Sequence, residues 1–195
     1  MLNIANYLND IELLKILDKY NVFDISTHCR KVSSCALRLF DSLNPNYEFK
    51  YEERTLLYYS AILHDIGYFI NKENHHLHTK YIILKEPLLD NVPSVLRDSL
   101  ALIASSHGKY IDDCIQLYSC KEKVIILKLI SLLRIADALD HKHNLHVTLE
   151  NVEMNNSILN IQIKGKASNI IIKKFKKRSS LFSKVYNIPI DMYYS

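Results

Sequence analysis

Residues 59–70, Tyr-Ser-Ala-Ile-Leu-His-Asp-Ile-Gly-Tyr-Phe-Ile, carry an adjacent His64-Asp65 pair at the end of an apolar helical run. Both side chains serve borderline-to-hard divalent metals, and helical neighbours about 100° apart can converge on one ion from the inner edge of a helix. A plainer reading keeps His64 as a hydrogen-bonded core residue and puts Gly67 in a left-handed helix cap. Other histidines and aspartates at inward-facing positions decide between the two.

The chain on either side of this stretch is built of amphipathic helices. Residues 2–20 read as a first helix, with Ile4, Leu8, Ile11 and Leu14 at helical spacing. A second opens near Asp24 or Ser26 and runs to about Leu43, before Asn44-Pro45-Asn46. Its stripe Val32, Cys35/Ala36, Leu39 and Leu43 extends back to His28, which therefore faces inward. A third covers roughly 52–65, where Leu57 and Ala61 line up with His64, and Ala61 and Ile62 with Asp65. The cluster His75-His76-Leu77-His78 follows a polar linker. His78 precedes Tyr81 and Ile82 at helical spacing and is expected to enter the core, while His75 and His76 stay undecided.

Pro93-Ser94 opens a helix whose face Leu96, Leu100, Ile103/Ala104 ends in His107. Residues 121–140 are apolar almost all round, which marks a central buried helix, with Ile126, Ile130, Leu133 and Asp137 on one line. A carboxylate there needs a metal, an arginine or a ring of donors, because burying it alone costs several kcal/mol or shifts its pKa. Arg134 is one candidate partner. Beyond His143 two alternating stretches, 146–150 and 157–164, read as a hairpin, followed by a helix from Ser168 to Tyr186 and a short strand over 187–192. The expectation is a mainly α fold with a helical domain over 1–143 and a small β-β-α-β appendage over 144–195. Each inward His or Asp alone is an ordinary core residue, but five together are explained most economically by a shared metal.

Composition excludes several classes. None of the apolar runs in these 195 residues approaches the roughly 18 of a membrane span. The start carries no secretory pattern, so a cytoplasmic setting is expected. Four cysteines, Cys29, Cys35, Cys114 and Cys120, match no zinc or redox spacing and read as reduced, mostly buried thiols. With three glycines and no phosphate-cradling loop, any phosphate must be held by metal and basic side chains. The net charge of +4 gives no argument for nucleic acid. The run Lys173-Lys174-Phe175-Lys176-Lys177-Arg178 is read first as a solvated helix face and second as a polyanion site.

The order His28, His64-Asp65, Asp137 across separate helices resembles the HD-domain metal-dependent phosphohydrolases. More closely, His-Asp-Ile-Gly-Tyr-Phe-Ile (64–70), Asn-His-His-Leu-His (74–78), Ser-His-Gly-Lys (106–109) and Leu-Leu-Arg-Ile-Ala-Asp-Ala-Leu-Asp (132–140) resemble the C-terminal HD region of the exopolyphosphatase/guanosine pentaphosphatase (Ppx/GppA) family. The likeness runs from about residue 11 to about 187. It implies an HD-type helical bundle holding one or two divalent ions (Mn, Fe, Mg or Co, with zinc left open). His28, His64, Asp65 and Asp137 are the implied ligands, and His78 and His107 resemble the extra histidines of two-ion members. Asp65 would also orient the attacking water. Many active HD enzymes place a lysine shortly after the doublet; Tyr68 stands there, leaving Lys109, Arg134 and Lys31 as candidates for substrate phosphates. The family's named activity is attributed to an actin-like domain whose Gly-rich loops these residues lack, so only the HD chemistry carries over. The expected function is hydrolysis of a phosphoester or phosphoanhydride in a nucleotide or polyphosphate-type compound. The alternative is a non-catalytic module that binds such a compound, with the basic tail helix as its contact surface. A small phosphorylated substrate is the expected partner, with no membrane and a homodimer left open.

Overall fold

The computed structural model describes residues 2–140, 143, 146–165 and 169–194. Among these, α1 (Asp10–Lys19), α2 (Ile25–Tyr47), α3 (Tyr51–Leu63), α4 (His75–Lys85), α5 (Ser94–Ser105) and α6 (Cys120–Leu139) make a helical bundle. β1 (Val147–Asn155), β2 (Ile158–Gly165), α7 (Asn169–Tyr186) and β3 (Ile190–Tyr194) form the β-β-α-β appendage. The expected helix start at Ser168 and the domain boundary after residue 143 fall on residues outside this description.

Local chemistry sets the helix limits. Asn9 and Glu12 form a reciprocal capping box, so α1 starts at Asp10 and only a 3-10 turn over Ile4–Asn6 precedes it. This corrects the expectation of one helix over residues 2–20. Proline does not stop α2, because Pro45 sits in the last turn; the amide it lacks would face the carbonyl of Asp41, an exposed residue open to water. α6 opens on a second capping box, Ser119 with Glu122, and is buried almost continuously from Ile126 to Leu139. It runs through the centre, packing on α2, α3, α5 and α7.

In the appendage β1 and β2 pair antiparallel across Asn156-Ser157, both at positive φ (50° and 62°), as a two-residue hairpin turn requires. β2 and β3 are parallel, with α7 as the crossover. The sheet is tied to the bundle by Arg38, which donates to the carbonyls of Leu149 and Glu150, and by Ser42, which donates to that of Val152. Ile171, Phe175 and Phe182 of α7 join the same continuous apolar core as the bundle helices. That packing lays one edge of α7 along the end of α6 where Asp137 lies. Of the cysteines, Cys29 and Cys35 are buried, Cys114 is half-buried and Cys120 is exposed. Among the described residues no helix is long and apolar enough to cross a membrane.

Candidate metal centre

α3 ends at Leu63, and the doublet leaves the helix one residue at a time. His64 keeps helical angles, whereas Asp65 adopts φ −110° and ψ 6°, which swings its carboxylate back beside the His64 ring. The turn is locked to α4 by Thr79, whose hydroxyl donates to the His64 carbonyl (2.8 Å) and accepts from the Gly67 amide (3.0 Å). Gly67 is not a left-handed cap. It is required because a Cβ there would overlap the His75 carbonyl and the Thr79 amide. The close approach of α4 brings His75 to Asp65.

Four imidazoles of the cluster are held by their Nδ1 atoms. His64 donates to the Ala61 carbonyl (2.8 Å), His107 to that of Ala104 (2.7 Å) and His75 to that of Lys72 (3.0 Å). His28 donates to Asp140 (2.9 Å), whose other oxygen takes the Lys31 ammonium (2.9 Å). Carbonyls and an ionised carboxylate only accept, so in the neutral forms of these four rings Nε2 carries a lone pair into the centre. Asp65 Oδ2 lies 3.6 Å from His28 Nε2 and 3.5 Å from the Nε2 atoms of His64 and His143. Its Oδ1 lies 3.4 Å from the Nε2 atoms of His75 and His107, which are 2.9 Å from one another. Asp137 Oδ1 closes the first half at 3.6 Å from His28 and 4.0 Å from His64. The His143 ring stacks on that of His28 at 3.7 Å.

This donor set can hold a metal ion. Two groups of ligand atoms, His28/His64/Asp65 and Asp65/His75/His107, share the Asp65 carboxylate. Donors about 2.1 Å from an ion are about 3.0 Å apart along an octahedral edge and about 3.4 Å along a tetrahedral one; the second group, at 2.9–3.4 Å, matches these spacings and the first, at 3.5–4.0 Å, is slightly wider. His28 Nε2, His64 Nε2 and Asp65 Oδ1 are buried without a hydrogen-bond partner, an arrangement that costs free energy unless a cation fills it.

The electrostatics agree. Burial and the nearby His28 charge push His64 down to about 4, and burial with the His28 charge does the same to His143. His107 lies well below the usual imidazole value, through burial and the proximity of His64. Burial and the Asp137 charge raise Asp65 to about 6. Asp137 is lowered despite burial, by His28 and the other rings. Burial opposes a charge on His28, but the nearby Asp137, Asp140 and Asp65 carboxylates outweigh it and raise the ring to about 9.

The sequence-derived candidates fall into two sets. His28, His64, Asp65, His107 and Asp137 meet at the centre. His78 is half-buried and belongs to neither ligand group; the inner stripe of α4 is Thr79, Ile82 and Ile83, and four residues before Thr79 stands His75. Lys31 is tied to Asp140 behind the His28 ring. Lys109 is exposed, 3.5 Å from the Tyr110 hydroxyl. Arg134 does not pair Asp137; its guanidinium donates to the carbonyls of Ser106 (2.7 Å) and Tyr110 (3.0 Å) and so holds the loop behind His107. The cations lining the cavity over the centre are instead Lys174 and Arg178 of α7. His75, His143 and Asp140 are residues that sequence reasoning left without a role, and the pair belongs to the 173–178 run read there as a solvated face or, second, a polyanion site.

A family model described as Ppx/GppA phosphatase, domain III, matches residues 12–177. No curated protein matches the chain. The matched span runs from α1 into α7 and includes every residue of the centre described above. The chain belongs to the Ppx/GppA phosphatase domain III family.

Proposed function

We propose that the chain is an HD-type metal-dependent phosphohydrolase that cleaves a phosphoester or phosphoanhydride of a nucleotide or polyphosphate-type compound. The observation that carries the reading is the convergence of imidazole Nε2 atoms and carboxylate oxygens, of which His28 Nε2, His64 Nε2 and Asp65 Oδ1 are buried without a hydrogen-bond partner. His28, His64, Asp137 and Asp65 Oδ2 would hold one divalent ion; His75, His107 and Asp65 Oδ1 would hold a second. The nitrogen and oxygen donors, without thiolate, suit Mn, Fe, Mg or Co. A cation bound there polarises a phosphoryl oxygen and lowers the pKa of water.

The side chains have definable tasks. Asp140 and Lys31 fix the His28 ring and its tautomer, as outer carboxylates do for ligating histidines. Asp65, shared by the two ligand groups, would orient the attacking water, which loses its proton to solvent as the new O–P bond forms, and the leaving oxygen takes a proton from solvent as the old P–O bond breaks. A second reading, a non-catalytic module binding a nucleotide or polyphosphate, is favoured by the matched model describing one domain of a phosphatase.

Phosphate release from a panel of nucleotides and polyphosphate with Mn, Mg, Fe and Co separates the two. Turnover lost in Asp65→Ala and His64→Ala supports the enzyme. Stoichiometric metal without turnover on any substrate supports the binding module.

A further inference from the structure

The cavity over the centre has a volume of about 140 Å³, well under the roughly 300 Å³ at which pockets begin to enclose drug-sized ligands. It has room for a phosphoryl group. Its floor is Asp65, Asp137 and the imidazoles, and its far wall is Lys174 and Arg178, one turn apart on α7. Among the described residues Lys174 makes no hydrogen bond or ion pair, and Arg178 makes one bond, to the Gly108 carbonyl. Neither meets a carboxylate at pairing distance. α7 carries no acidic residue, so the charge that reaches its two half-buried cations is that of Asp137 across the cavity, which neither of them meets in an ion pair.

We infer that Lys174 and Arg178 form a clamp for a terminal, doubly charged phosphoryl group, making the centre selective for phosphate monoesters and chain ends over phosphodiesters. The inference deepens the phosphohydrolase reading and rests on it for turnover, but not for binding. A dianionic phosphoryl offers oxygens to both the metal side and the α7 side at once. A diester carries one charge fewer and so gains less from the two cations on the α7 side. Arg178 can fork two oxygens while Lys174 supplies a point charge, and a hydrogen bond between two charged partners loses about tenfold or more in affinity when one is removed. The remainder of the substrate stays outside the chamber.

The probe is inorganic phosphate, titrated calorimetrically into the manganese-loaded full chain. Lys174→Ala and Arg178→Ala are each expected to weaken phosphate binding about tenfold with manganese content unchanged. Arg178→Lys, which keeps the charge, is expected to recover part of the loss. Lys173→Ala, on the exposed side of the same helix, is expected to stay within about twofold. In parallel, phenyl phosphate is expected to be turned over and bis(4-nitrophenyl) phosphate not. Phosphate binding that is absent in wild type, or unchanged in both cavity variants, overturns the clamp, as does preferential turnover of the diester. Clamp-dependent phosphate binding with no turnover of any ester leaves the clamp standing and overturns the phosphohydrolase reading instead.

Discussion

The two walls of the cavity hold their polar groups in opposite ways. On the bundle side, His28, His64, His75 and His107 are each fixed by an Nδ1 bond of 2.7–3.0 Å, leaving a single atom to point inward. On the α7 side, Lys174 is untethered among the described residues and Arg178 has one backbone bond, both on long flexible stems. A metal demands several donors within tenths of an ångström of one distance, so its ligands are preorganised by the backbone. An incoming anion tolerates charges that adjust to it. The bundle wall is therefore built for a resident cation and the α7 wall for a transient anion.

The comparison breaks most directly at the doublet. His64→Ala or Asp65→Ala removes a ligand shared by the first group or by both, and metal affinity is expected to fall by more than about 100-fold, read by elemental analysis after dialysis. Variants that keep full metal would mean that the doublet is only a buried core pair. Asp140→Asn tests the tether rather than the ligand. It should lower metal affinity about 10- to 100-fold while the helical circular dichroism stays as in wild type.

Acidity sharpens the same contrast. His28 must lose its proton to ligate, and its ring is raised from 6.5 to about 9, so metal affinity is expected to rise about tenfold per pH unit from 6.5 towards 9. The metal-free protein should do the reverse. A folded-state pKa raised above the unfolded value contributes stability that is complete below 6.5 and lost as pH climbs through 9, so its Tm should fall over the interval in which metal binding strengthens. Parallel trends in the two forms, followed by thermal melts with and without metal, would contradict this assignment. Gly67→Ala gives the smallest effect on the first group. Displacing α4 is expected to cost about 1–3 kcal/mol in urea unfolding and to weaken the second group, His75 with His107, more than His28 with His64.

What the sequence disclosed follows the same division. His28, His64, His107 and Asp137 sit on long amphipathic helices, where period 3.6 tells which face is inward, and the structure brings them to one centre. The β-β-α-β order was legible because alternation and helix period differ so clearly. His75 was missed although Thr79, Ile82 and Ile83 define its stripe, because its approach to Asp65 depends on the contact of α4 with Gly67, which is tertiary. Asp140 and His143 lie past the end of α6, where periodicity carries no information. Lys174 and Arg178 lie at the edge of the apolar stripe of α7 and look solvated until the packing against α6 is known. Arg134, one turn from Asp137 in sequence, points to the Ser106 and Tyr110 carbonyls instead, a choice set by the loop it secures.

The central claim is that the inward His and Asp residues exist to hold a cation. Elemental analysis of the wild-type chain, purified without chelator and equilibrated at pH 8 with Mn, Fe, Co, Mg or Zn, tests it in one step. The account predicts one or two equivalents of bound metal, lost in His64→Ala. A wild-type protein that retains none under any of these ions would contradict it, and the cluster would then be a protonated core network.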